Sequence, residues 1–136
     1  MIDEPELRRW RSEADRALSG ARAQASIDLH NWACFGAEQA AQLALKGLLH
    51  GIGAAPWGHD LTDLGAKAGA AGVAVPPEVA AVLQRLSRHY ISTRYADAHA
   101  AGSAGDHYNE ADSEAAIAEA EAVLAWVDSC ADELGR

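Results

Sequence analysis

The stretch Trp32–Leu49, WACFGAEQAAQLALKGLL, decides the fold. Together with Leu29 just before it, it carries Leu29, Trp32, Ala33, Gly36, Ala40, Leu43 and Gly47 at three- and four-residue spacings, the period of one helix face. Leu45, Leu48 and Leu49 widen the apolar surface beyond that stripe. A helix this apolar belongs at the centre of a bundle or also serves a dimer. Gly36, Ala40 and Gly47 would let a neighbouring helix approach closely. The helix is predicted to start at Ser26 or Asp28 and to end near Gly51-Ile52-Gly53.

Outward from this centre, every other segment also reads as helix or as a break. A first helix is predicted from about Pro5 to Gln24, with Asp3 as its cap and Pro5 in its first turn. After the loop Gly53–His59, which exposes Trp57, a short helix covers about Leu61 to Gly69, capped by Asp60. Gly72 and Pro76-Pro77 break the chain. A fourth helix is predicted from Pro77 to about Tyr95, with Val79, Val82, Leu83, Leu86, Tyr90 and Ile91 inward. The small-residue loop Ala100–Gly105 follows, then a last helix from Asn109 or Asp112. The only alternating stretch, Val73-Ala74-Val75, runs straight into the two prolines. The expectation is one all-α domain over residues 1–136, an up-and-down bundle of about five helices.

Composition narrows the possibilities. The chain is 49% apolar, much of it alanine, so helices can pack closely with few bulky anchors. Trp10, Trp32, Phe35, Tyr90 and Trp126 are the expected anchors. The net charge of −9 argues against broad non-specific nucleic-acid binding, which rests on Lys and Arg releasing counterions. Yet the charge is uneven. Val79–Ala96 holds Arg85, Arg88, Arg94 and His89 without an acid, whereas Asp97–Glu133 holds no Lys or Arg. A local basic face is expected there, with pairing to the acidic last helix as the alternative. Cys34 and Cys130 form no Cys-x-x-Cys and read as buried free thiols. Without a signal peptide or a long apolar run, the chain reads as soluble and cytoplasmic, with no membrane contact.

Three elements come in order: the small-residue helix with Glu38-Gln39 and then Lys46; His59-Asp60-Leu61-Thr62-Asp63-Leu64; and Arg94-Tyr95-Ala96-Asp97 at a helix end. This ordered set resembles the HEPN domain, the higher-eukaryote and prokaryote nucleotide-binding family of small helical proteins. The resemblance runs over nearly the whole chain. In the catalytic branch of that family an Arg-x4-6-His motif is a metal-independent ribonuclease centre that uses the RNA 2′-hydroxyl. Arg94 and His99 match its spacing. Histidine serves as acid or base near neutrality, and arginine holds a phosphate in a rigid fork. Here Tyr95 stands where active members usually have a small polar residue, and Ala96 stands where many have proline. Residues five apart on a continuous helix diverge by about 140°. Convergence therefore requires the helix to stop after Arg94, or a second subunit. The alternative is a plain helix end, with Asp97 pairing Arg94 or binding free backbone N–H groups.

Other candidates surround this pair. Arg85 and His89, like Tyr90 and Arg94, are four apart and share a face, so Arg85, Arg88, His89 and Arg94 could line an anion-binding groove. Gln39, Gln42 and Lys46 lie on one flank of the central helix. They form either a nucleotide contact or, with Glu38, a buried polar network; this chain has Gln42 where the family often has Glu. His59 is expected to be a packed loop residue. The histidines show no metal-ligand spacing, and no phosphate-binding glycine loop or nucleophile elbow is present, so neither metal nor cofactor is expected. The resemblance implies a homodimeric nucleotide- or RNA-associated module. Its implied partner is a minimal nucleotidyltransferase, in a toxin–antitoxin-type pair. The alternative is an active endoribonuclease toxin using Arg94 and His99.

Overall fold

The computed structural model describes residues 2–54 and 56–135. Its five α-helices are α1 (Glu4–Ser26), α2 (His30–Gly51), α3 (Leu61–Ala70), α4 (Pro77–Ser87) and α5 (Glu110–Leu134), with short 3₁₀ turns at Ala96–Ala98 and Ala104–His107. No strand occurs among the described residues. The bundle is up-and-down, and α2 is its axis, packed against all four other helices.

Local chemistry sets most boundaries. Asp3, Asp60 and Asn109 each accept a backbone N–H of the helix they open, from Glu6, Thr62 and Asp112. Asp112 returns a bond to the Asn109 amide, closing a capping box. The α1–α2 junction differs from expectation. Asp28 does not open α2; it closes α1. Its φ is +63°, its N–H reaches the Ala25 carbonyl, and the Leu29 N–H reaches Gln24. That is the left-handed helix stop usually given to glycine, which aspartate tolerates. Consequently α2 starts at His30, with Leu29 before it and no side-chain cap.

The core is leucine and alanine. Leu45, Leu48, Leu49, Leu61, Leu64, Leu83 and Leu86 are all fully buried, each contributing about 1.5–3 kcal/mol. The expected aromatic anchors are not in it. Trp32 is exposed, and Trp10, Phe35, Tyr90 and Trp126 are only half-buried. Gly36 and Gly47 do permit a close approach, but to α1. A Cβ on Gly36 would meet Ala21 Cβ at 3.1 Å, and one on Gly47 would meet Trp10 Cβ at 2.8 Å. Gly36 and Gly47 thus seat α1 against α2.

The largest departure is at α4, which ends at Ser87 and not near Tyr95. The hydrophobic spacing continues past Ser87, but side chains take over the backbone's bonds. Ser92 Oγ, Thr93 Oγ1 and the Arg94 guanidinium donate to the carbonyls of Arg88, His89 and Tyr90, each four residues earlier. These are the acceptors an α-helix would reserve for the N–H groups of the same three residues, and Ser and Thr compete for them readily. The chain loosens into turns, and Ile91, expected inward, is exposed. Buried Asn31 of α2 pins the segment by donating to the Thr93 carbonyl at 2.9 Å.

Candidate functional site

Residues 88–108 wrap one flank of the bundle and present two faces. Toward α2, the Arg94 guanidinium lies over three rings, 4.4 Å from the Phe35 centroid, 4.8 Å from Tyr90 and 4.9 Å from Tyr95. Its Nε donates to the Tyr90 carbonyl at 2.9 Å. Such contacts each stabilise by about 0.5–2 kcal/mol. Trp32 meets Phe35 edge-on, and His59 stacks on Tyr90 at 5.1 Å. Asp97 forms no ion pair with Arg94.

Nearby on α2, Glu38 is fully buried and accepts from Gln39 Nε2 at 2.8 Å and Gln42 Nε2 at 2.6 Å. Gln42 Oε1 lies 3.3 Å from His59 Nδ1, which extends the network to the loop before α3. Burial pushes the Glu38 carboxyl up to about 7. The two glutamines and the charges of Arg94 and Lys46 pull the other way. Burial also lowers Lys46, against the attraction of Glu38. The polar flank of α2 is therefore a buried network in which Gln39 and Gln42 are spent on Glu38.

Toward α5 lies a cleft of about 610 Å³, lined by Arg85, Arg88, His89, Ser92, His99, His107 and Tyr108 on one side and Asp112, Ala115 and Glu119 on the other. Gly102, at φ +77°, turns the chain so that Asp106 can close a capping box with Ser103. That turn delivers His107 onto His99, the two rings stacked with centroids 4.1 Å apart. His99 Nε2 lies 2.6 Å from the Ser92 carbonyl, and His107 Nε2 lies 2.6 Å from that of Ala101. A carbonyl only accepts, so both Nε2 atoms carry protons. Ser92 Oγ and Tyr108 Oη share a 2.6 Å hydrogen bond. Burial, then the charge of Arg88, lowers the pKa of His89, whose Nδ1 is buried without a partner. Burial raises Tyr108.

Arg85 pairs with Glu119 across the cleft, whereas Arg88 has no carboxylate partner among the described residues. Arg88 also lines a second, shallower cleft of about 630 Å³ with His59, Asp60, Tyr90 and Ile91. So Arg85, Arg88, His89 and His99 share one cleft. Arg94, Gln39 and Lys46 do not line it. Arg94 packs on Phe35, Tyr90 and Tyr95, whereas His99 lines the cleft without it. His107 and Tyr108 were not singled out from the sequence, because only the Gly102 turn brings them to His99. Among the described residues, no group of three His, Cys, Asp or Glu side chains could hold a metal ion. Burial, then Asp112 and Glu119, pushes the Cys34 thiol up to about 12, so it is no nucleophile at neutral pH. No described helix is long and apolar enough to cross a membrane.

Comparison with known proteins agrees with this architecture. A family model described as HEPN domain matches residues 7–130. A crystal structure from Thermus thermophilus is 38% identical with a TM-score of 0.88, covering 92% of this chain and 98% of that one. An archaeal HEPN homologue is 30% identical with a TM-score of 0.76, over 91% of this chain and 96% of that one. A HEPN domain protein from Thermotoga maritima is 26% identical with a TM-score of 0.73, over 94% and 98%. No curated protein matches. With the motifs, the five-helix bundle and these relatives in agreement, the chain belongs to the HEPN domain family.

Proposed function

We propose that this chain is a dimeric, nucleotide- or RNA-associated module that works beside a minimal nucleotidyltransferase in a toxin–antitoxin-type pair. The observation that carries this reading is the separation of Arg94 from His99. Arg94 is held by three aromatic rings and its own backbone and does not line the cleft that holds His99. What remains in the cleft, Arg85, Arg88 and the histidines, suits a phosphate group. Exposed Trp32, Ile91 and Tyr95 give the Arg94 side an apolar surface suited to a second copy of the chain.

A second reading is an endoribonuclease in which Arg94 of one subunit faces His99 of another. It is favoured by the fixed Nε2–H of His99, which leaves Nδ1 as the basic nitrogen. Cleavage of mixed cellular RNA without added metal, by wild type, Arg94→Ala and His99→Ala, separates the two. The module reading expects no cleavage by wild type. Cleavage by wild type that both substitutions abolish overturns it. Equal residual cleavage by all three proteins marks a contaminant and counts with no cleavage. Sedimentation at micromolar concentration tests the dimer, and purification with the nucleotidyltransferase of an adjacent reading frame tests the pair.

A further inference from the structure

We infer that the cleft between residues 85–108 and α5 binds a phosphodiester together with one proton, and that the stacked pair His99 and His107 receives it. The inference rests on the phosphate-binding reading above and adds the ligand's class and its dependence on pH.

Charge balance comes first. The guanidinium groups of Arg85 and Arg88 are matched in number by the carboxylates of Glu119 and Asp112, all four lining the cleft. With neutral histidines the cleft carries no net charge, and Arg85 is already engaged by Glu119. An anion gains a net positive site only when the histidine wall takes up a proton.

The geometry then says which groups take it. His89 is a poor receiver. Its Nδ1 is buried without a partner, and Arg88 beside it opposes a further positive charge. Tyr108 shares its hydroxyl with Ser92, and the phenol does not titrate near neutrality. His99 and His107 each have Nε2–H fixed on a carbonyl, so each neutral ring keeps a bare Nδ1. Protonation turns that nitrogen into a donor, as a phosphate oxygen requires.

The stacking limits the number of protons. Two imidazolium rings with centroids 4.1 Å apart would repel by about 4 kcal/mol at a surface-like dielectric. One imidazolium on one neutral ring is instead a favourable cation–π pair. The pair therefore accepts one proton.

A dinucleoside monophosphate is the probe, because its single diester charge does not titrate in the range used. Its binding to the intact chain would be followed by titration calorimetry from about pH 8 to about pH 5.5, the histidine range, in two buffers of different ionisation heat. Affinity should strengthen by up to about tenfold per pH unit where one proton is linked, with uptake near one proton per ligand. His99→Asn combined with His107→Asn keeps a donor for the Ser92 and Ala101 carbonyls but removes both receivers, so uptake should fall well below one, whereas either substitution alone leaves one receiver and keeps uptake near one. The corresponding double phenylalanine variant reports the same loss if the asparagine variant folds poorly. Binding that ignores pH, uptake of two protons, or full uptake by both double variants overturns the inference while leaving the phosphate-binding reading in place. No binding at any pH overturns both.

Discussion

The amide of Gln42 donates to the carboxylate of Glu38 at 2.6 Å, one turn earlier on the same fully packed helix. A carboxyl with no solvent contact thus sits at the centre of the bundle, held by glutamines and not by an ion pair. Its carboxyl titrates at about 7, against an ordinary value of 4.5. A raised carboxyl binds its proton more tightly in the folded state than in the unfolded one. Its contribution is complete below about pH 4.5 and is lost as pH rises through about 7. Glu38→Gln should remove this loss. Urea denaturation should show a wild type that weakens by roughly 2–3 kcal/mol across that window and a variant that stays flatter. A wild-type midpoint that rises with pH through the same window would contradict the raised carboxyl.

Arg94→Lys keeps the charge but loses the planar fork that spans Tyr90's carbonyl and the Phe35, Tyr90 and Tyr95 rings. A loss of about 1–2 kcal/mol is expected, read from thermal or urea unfolding. If Arg94→Lys and wild type unfold alike, the guanidinium is not anchoring the segment as its contacts imply.

Gly47→Ala places a methyl 2.8 Å from Trp10 Cβ and 3.2 Å from the Leu7 carbonyl. Backbone cannot yield as a flexible side chain would, so about 1–3 kcal/mol of destabilisation is expected. Because the contact lies within one chain, the loss should be the same at every protein concentration. A loss confined to dilute samples would move this glycine to a subunit interface.

Glu119→Gln releases Arg85 and leaves the cleft with a net positive charge. The dinucleoside monophosphate should bind roughly fivefold more tightly, since an exposed ion pair is worth up to about 1 kcal/mol. Weaker binding would mean that Glu119 orients Arg85 for the ligand and does not compete with it.

The bundle was legible because its signals are local. Asp3, Asp60 and Asn109 cap helices through bonds to residues two or three away, and the apolar pattern of α2 marks it as central. Two signals misled. The spacing Leu83, Leu86, Tyr90, Ile91 continues a helix that the side chains of Ser92, Thr93 and Arg94 dissolve. Trp32, Phe35 and Tyr90 look like core by size, yet the core is filled by leucines against alanines, Phe35 and Tyr90 pack on an arginine, and Trp32 is left exposed beside Phe35. Arg85, Arg88 and His89 were legible as one face because they lie within two turns, but the groove read from the sequence also held Arg94, which packs on aromatic rings instead, and lacked His99, which lines the cleft. His107 was not legible, since its approach to His99 depends on the φ of Gly102 and on the capping box of Ser103 and Asp106.

The exposure of Trp32 has a practical side. Its indole meets Phe35 edge-on, and Phe35 in turn carries the Arg94 guanidinium. Whatever settles on that face, a second copy or another protein, alters the polarity around a fluorophore the chain already owns. The emission of Trp32, isolated by replacing Trp10, Trp57 and Trp126 with phenylalanine, therefore gives a label-free optical signal for occupancy of the Arg94 side, while the histidine cleft holds no tryptophan.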